Sequence, residues 1–334
     1  IPILNPHVLN QINQAILGAF PSKDSIASYL CEDWNGYVLE ANPGPGLLSK
    51  AILETGVSHL RVFEKNVDLF PTLEILSNTY SNFEIIKENL MLLPSLDARM
   101  PYDESNEYEK FFKGIPNCSY SNGVPFRLFS IISNKRGIKF LRYLLTALPA
   151  QSSLFSYGRC ELFLMLSKAE YQCMQAEPKE NFSMYRWSTV LYSLFFEIKC
   201  LKKFSSESFF PSPVYRKAKK MRDLQHFYLV KLTPVSDLPE LVTDNNKLLE
   251  FYYFVRNHFG KRTAFVIPTM EKWIPFCGPR LIKEGMNVFT RFGDLNPKQI
   301  LMLFNQFSSW PEYEDSSFHT AFQKYNKKLA SDKD

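Results

Sequence analysis

No Cys-x-x-Cys pair occurs in this chain of 334 residues, and its six cysteines, at 31, 118, 160, 173, 200 and 277, are scattered. That spacing excludes a zinc ribbon or a dithiol redox motif, and predicts reduced, buried thiols in an intracellular compartment. The five histidines, at 7, 59, 226, 258 and 319, show no ligand spacing either, so no metal site is expected. Long apolar runs are missing too. None approaches the roughly 18 residues of a membrane span, so no membrane partner is expected. Ile1 stands where a methionine would begin a chain, and a leader carrying any targeting signal is expected to have been removed. Glycine is scarce, with 13 residues, so a place where two fall close together carries information.

What is abundant is apolar and aromatic: 45% hydrophobic residues, with 29 Phe and 17 Tyr. This is a packed globular composition, and the length suits a main domain plus a lesser one. The two close glycines lie in Glu40-Ala41-Asn42-Pro43-Gly44-Pro45-Gly46, directly after the apolar run Tyr37-Val38-Leu39. The pattern predicts a buried strand ending in an acid, a glycine loop that lets backbone approach a ligand, then a helix from Leu47. The next strand candidate, Leu60-Arg61-Val62-Phe63, ends in Glu64, a carboxylate able to accept hydrogen bonds from both hydroxyls of a ribose. A dinucleotide site would want a third glycine where Ser49 stands. Two acids on successive strands around a short glycine loop fit an S-adenosylmethionine pocket better. A glycine loop alone could be a plain strand–helix turn, and Glu64 is what lifts the cofactor reading above that.

Strand-like runs at 38–40, 60–64, 83–86, 126–132 and 160–166 alternate with helical patterns at 47–55, 69–77 and 138–148. That rhythm predicts an α/β fold, a doubly wound, mostly parallel sheet over residues 1–205. Residues 94–125 interrupt it as a long irregular connection. Residues 206–234 read as a connecting basic segment and a last strand at 227–231. From 235 to 334 the patterns are helical, at 248–259, 262–270 and 297–307, which predicts a small helical C-terminal domain. Asn296 and Pro297 form a good helix start. The aromatic run Phe251-Tyr252-Tyr253-Phe254 would point all round a helix, so core is favoured over a base-stacking platform.

The net charge is +5, yet residues 199–222 alone carry +7, eight cations against Glu207. Such runs are ordinarily solvated surface; the functional reading is a phosphate-binding face built from Lys202, Lys203, Arg216, Lys217, Lys219 and Lys220.

These motifs, in this order, resemble the ribosomal RNA adenine-N6 dimethyltransferases over residues 3–310. The run Ile3-Leu4-Asn5-Pro6-His7-Val8-Leu9-Asn10 matches part of that family's N-terminal motif, which the resemblance places beside the cofactor. Residues 40–47 match its glycine motif, with Asn42 in place of the first glycine, and Glu64 matches its ribose-binding acid. Asn89 falls where the family places an Asp near the adenine ring. The resemblance therefore implies a Rossmann-like S-adenosylmethionine pocket formed by Leu4, Glu40, Asn42, Gly44, Gly46, Glu64, Asn89 and Ser130. The family's catalytic Asn-Leu-Pro-Tyr/Phe motif is degenerate. It orients a poorly nucleophilic exocyclic amine and stacks the flipped base. Here Ser130-Ile131-Ile132-Ser133 stands in its place, without carboxamide, proline or ring, and a shift to Asn134 restores only the amide.

A kept pocket beside an eroded motif resembles the family's mitochondrial transcription factor B branch, and within it the transcription-initiation paralogue. Phe111-Phe112-Lys113-Gly114-Ile115, Tyr157-Gly158-Arg159-Cys160-Glu161 and Phe259-Gly260-Lys261-Arg262-Thr263 resemble stretches of that branch. The resemblance implies a monomeric factor in the mitochondrial matrix nucleoid. Its implied partners are mitochondrial RNA polymerase and promoter DNA, with the HMG-box mitochondrial transcription factor and rRNA as further candidates. Lys135, Arg136, Lys139 and Arg142 would then line the nucleic-acid groove, against the alternative of a solvated helix face. The enzymatic alternative is a working small-subunit rRNA dimethyltransferase. A metabolic methyltransferase or NAD enzyme is disfavoured by the basic segment and the helical part.

Overall fold

The computed structural model describes residues 23–97, 107–121, 123–132, 135–205, 226–242 and 247–331. The chain enters with α1 (Lys23–Cys31), then alternates β1 (Tyr37–Ala41), α2 (Leu47–Glu54), β2 (His59–Phe63), α3 (Phe70–Thr79) and β3 (Phe83–Ile86). Short helices α4 (Leu93–Asp97) and α5 (Glu107–Phe112) precede β4 (Phe126–Ile132), α6 (Lys135–Ala147), β5 (Glu161–Ser167) and α7 (Lys168–Met174). Helix α8 (Trp187–Phe195) runs directly into β6 (Phe196–Ser205), and β7 (His226–Pro234) completes the sheet. The remainder is helical: α9 (Lys247–Phe259), α10 (Val266–Met270), α11 (Gly278–Lys283), α12 (Pro297–Ser308) and α13 (Ser317–Ser331).

The seven strands lie in the order β3-β2-β1-β4-β5-β7-β6. Strands β1 to β5 pair in parallel, while β7 runs antiparallel to both neighbours. All seven residues of β5 are buried, as a strand covered on both faces requires. Alternation sends Phe129, Phe163 and Met165 toward α1, α2 and α3, and Leu128, Ile132, Leu162 and Leu164 toward α6 and α8. The second face continues without a break into the C-terminal helices: the Phe195 ring meets Phe251 at 6.2 Å, and Phe251 meets Phe304 at 5.3 Å. The change expected at 235 is thus one of secondary structure, and the two parts share a core.

Several expectations need correction. Strand β6 was hidden because it is an edge strand, where Glu197, Lys199, Lys202 and Lys203 face solvent and a bulge between Cys200 and Lys202 breaks the alternation. The connection at 94–125 is no idle loop, since Phe111, Phe112 and Ile115 are buried in the core. The six cysteines are free thiols, but only Cys160 and Cys277 are buried and Cys200 is exposed. In the aromatic run Phe251, Tyr252 and Phe254 are core, while Tyr253 packs on Phe318, Phe322 and Tyr325. Asn296 does cap α12, its side chain accepting from the Gln299 N–H at 2.9 Å.

Candidate cofactor crevice

Chain direction reverses its progress across the sheet between β1 and β4, which opens a crevice at their carboxyl ends. Glu40 and Glu64 lie there at the ends of neighbouring parallel strands, with Glu40 opposite Val62 in register. Past β1 the chain turns through three left-handed positions, Asn42 (φ 57°), Gly44 (φ 63°) and Gly46 (φ 83°). Asparagine is among the few side chains that tolerate this region, so Asn42 can replace a glycine without breaking the loop. Its N–H donates to the Phe63 carbonyl at 2.9 Å, fastening the loop to β2.

The two glycines serve different ends. A methyl group on Gly46 would come within 2.7 Å of Leu76 Cδ1, so this glycine lets the loop close onto α3. A methyl group on Gly44 would meet nothing within 4 Å: its bare face looks into open space. Glu40 is buried and accepts from Ser49 Oγ at 2.6 Å, bridging β1 to α2 beneath the loop. Burial pushes its carboxyl up to about 7, partly offset by the Ser49 hydrogen bond. Glu64 uses one oxygen, Oε1, to accept from the N–H groups of Lys65 (2.9 Å) and Asn66 (2.8 Å). Those bonds fix its rotamer, and no described residue hydrogen-bonds Oε2. Asn89 Oδ1 accepts from the Met91 N–H at 2.9 Å, which leaves its NH2 as the group available to a ligand.

Ser130 sits on β4 directly across from Ala41. It is fully buried, and its Oγ has no hydrogen-bond partner among the described residues. Ile132 packs against the first turn of α6, where a methyl group on Gly137 would lie 3.1 Å from Ile132 Cγ2. Leu4, Ser133, Asn134, Arg216, Lys217, Lys219 and Lys220 lie outside the described residues. On α6, Lys135, Lys139 and Arg142 share one exposed face at i, i+4 and i+7, with Arg136 exposed beside them. Lys202 and Lys203 do not form one face. Lys202 reaches Ser25 Oγ of α1 at 2.8 Å, whereas Lys203 lies over the Tyr228 ring on the other side of the sheet.

One organiser escaped the sequence reading. Arg61, buried in β2, donates to Glu84 Oε2 (2.7 Å), the Phe111 carbonyl (2.9 Å) and the Lys113 carbonyl (2.5 Å). It thereby ties the 107–115 segment to the sheet; the signal was an arginine inside an otherwise apolar strand. Glu161 joins Arg127 (2.7 Å) and Lys231 (2.5 Å) in a partly buried ion cluster at the far end of β4 and β5.

A sequence model of the ribosomal RNA adenine dimethylase family matches residues 5–306. The chain belongs to that family. Among similar proteins, the mitochondrial dimethyladenosine transferase 2 of Drosophila melanogaster is 27% identical over 89% of this chain and 75% of its own length. The Rattus norvegicus protein of the same name is 31% identical over 69% of this chain and 60% of its own length. In fold, the dimethylase family is represented by a dimethyladenosine transferase from Plasmodium falciparum. It has a TM-score of 0.59 at 17% identity, over 86% of this chain and 96% of that one.

Methyl transfer from S-adenosylmethionine is the chemistry of this family's fold, and the crevice fits that cofactor. The bare face of Gly44 leaves space that a Cβ would fill, and Glu64 is preset with an oxygen to spare. Glu64 would hold the ribose, Asn89 the adenine edge, and the Gly44 backbone the methionine end. When bound, the cofactor supplies a methyl group on a positively charged sulfur. The chain's own part is to position and enclose it.

Proposed function

We propose that this chain is a mitochondrial nucleic-acid-binding member of the dimethylase family that keeps the cofactor pocket but dimethylates adenine weakly or not at all. On this reading it is an initiation factor for the single-subunit mitochondrial RNA polymerase, helping to melt a promoter and hold the strands apart. The observation that carries the reading is Ser130. An adenine amine has its lone pair spread into the ring and needs acceptors on both its hydrogens to be aimed at a methyl group. A serine hydroxyl is one oxygen on a short arm, and here it is buried between Ala41 and Leu164 in the sheet, without a partner among the described residues. The motif's missing ring also leaves a flipped base without its stacking partner.

The cationic face of α6 supports a retained grip on a nucleic-acid backbone, since clustered Lys and Arg release counterions from phosphates. The names of the Drosophila and rat relatives support a mitochondrial setting; on this reading the protein works in the matrix nucleoid. Polymerase and promoter DNA are the expected partners. The HMG-box transcription factor and rRNA are further ones, and the factor itself acts as a monomer. A second reading, an active rRNA adenine dimethyltransferase, is favoured by the intact ribose anchor at Glu64.

Run-off transcription with purified mitochondrial polymerase, with and without this protein, tests the first reading. Promoter-dependent transcript should appear only with the protein, and methyl transfer to an adenine-bearing RNA hairpin should stay near background. Robust dimethylation of the hairpin without any transcriptional stimulation would sink it.

A further inference from the structure

Among the described residues eight large apolar side chains are left exposed, and six of them lie between Phe265 and Met302. Phe276 is 88% exposed, Phe289 75% and Met302 69%. Scattered single residues of this kind are ordinary, but a cluster on one part of a chain marks a contact surface. One of the six, Met302, lines a groove of about 730 Å³ between the 177–180 loop, α11 and α12. A second hollow of about 430 Å³ adjoins it and shares Glu177, Pro178 and Asn296.

The groove has a helical floor. Gln299, Met302, Leu303 and Gln306 repeat along α12 as one stripe, so the floor presents about two turns, about 11 Å, to whatever lies on it. Its walls are acidic: Glu177, Glu180, Glu284 and Asp294 line it, against Lys179 alone. On a chain whose overall charge is +5, this is a local reversal of sign. Lys283, Arg291 and Lys298 lie on the same elements but do not line the groove.

We infer that this groove is a docking site for a basic amphipathic helix of a partner protein. The apolar stripe of such a helix would lie on the exposed Met302, and its Lys and Arg would face the four carboxylates. The charge decides the class of occupant. A nucleic-acid backbone or an anionic membrane would be repelled by the same walls. Ser205 and His226, between which the basic stretch is joined to the described fold, lie at one end of the β6–β7 pair, whereas the hollow beside the groove reaches Phe196 at the other, about 30 Å of strand away. The inference stands apart from the initiation-factor reading, since it rests on neither Ser130 nor the crevice.

The test uses the full chain and three synthetic fluorescent peptides of about 18 residues. One is a basic amphipathic helix, one has the same apolar stripe with Glu on its polar face, and one is a scramble of the basic composition. The basic amphipathic peptide should bind most tightly. Its affinity should fall roughly tenfold in Glu180→Lys/Glu284→Lys and in Met302→Asp, while the acidic peptide should gain on the charge-reversed variant. All three positions are exposed, and thermal unfolding checks that each variant remains folded. Four results would each overturn the proposal. They are equal binding of the scramble; indifference of the basic peptide to both variants; self-association of the chain that Met302→Asp abolishes; and a gain in peptide affinity on replacing Lys217, Lys219 and Lys220 by Glu. The third would make the occupant a second copy, and the fourth this chain's own basic segment.

Discussion

The crevice and the C-terminal helices both bury polar side chains, but they leave them in different states. In the helices His258 is spent: its Nδ1 hydrogen-bonds the Phe254 carbonyl at 2.7 Å, and its Nε2 accepts from the Trp273 indole at 3.0 Å. Tyr313 donates to Glu250 at 2.6 Å, and Tyr185 to the Leu295 carbonyl at 2.8 Å. In the crevice, Ser130 Oγ is buried with nothing to bind, Glu64 keeps an oxygen in reserve, and Gly44 borders open space. Burying an unpaired polar group costs about 1–3 kcal/mol. Buried atoms without a partner among the described residues occur in the helical part too, at Arg262 Nε and Asn305 Oδ1, so the crevice is set apart by the spare oxygen of Glu64 and the open face of Gly44 rather than by Ser130 alone. Within the crevice the β1–β2 side offers Glu64 and the Gly44 face to a cofactor, while the β4 side, one strand spacing away, carries Ser130.

The largest effect that probes this contrast is on stability against pH. Burial holds His258 down at about 4, so it is neutral in the fold; the unfolded chain binds its proton already below about 6.5. Stability from His258 is complete above pH 6.5 and is lost as pH falls toward 4. Glu40, raised to about 7, has the opposite sign: its contribution is complete below about 4.5 and is lost as pH rises through 7. Each amounts to about 3 kcal/mol. The wild-type profile from urea unfolding should therefore be nearly flat between pH 4.5 and 6.5, then fall. Glu40→Gln should climb through that window and stay level above it. A variant that kept the alkaline fall would show that Glu40 is not the group responsible.

Next in size is the cofactor. Glu64→Ala should weaken S-adenosylmethionine binding roughly ten- to a hundredfold by calorimetry, as expected for losing a charged hydrogen bond. Ser130→Ala should change affinity by no more than about twofold and leave promoter opening intact. Equal losses at both positions would erase the distinction between the two sides of the crevice. The smallest effect concerns salt. Lys139→Glu should lower the slope of DNA affinity against log salt by about one, whereas Lys202→Glu, turned toward α1, should leave it unchanged. A flattened slope for Lys202→Glu would extend the nucleic-acid face across the sheet edge.

Much of the crevice was legible in the sequence because its parts are local. A strand, a glycine loop and the helix after it occupy about fifteen consecutive residues, and the acid at the end of β2 follows one element later. Asn296 at the start of α12 was readable for the same reason, as a cap acts within one turn. For Lys202 and Lys203, composition could not say which way successive strand residues point. Lys202 and Lys203 are neighbours in sequence and lie on opposite faces of the sheet.

What the sequence determined by itself was the central strand–helix alternation, the cofactor loop and the run Ser130-Ile131-Ile132-Ser133 where the family has its amine-orienting motif, all set by short-range periodicity and by residue identity at fixed spacing. What only the tertiary structure decided was partnership at a distance. Arg61 holds carbonyls some fifty residues away, Gly46 is a packing glycine because Leu76 lies against it, and the acidic groove joins loop 177–180 to α12 across more than a hundred residues. Those contacts depend on how elements stack, and stacking follows from burying both faces of the sheet at once, which no local window of the chain encodes.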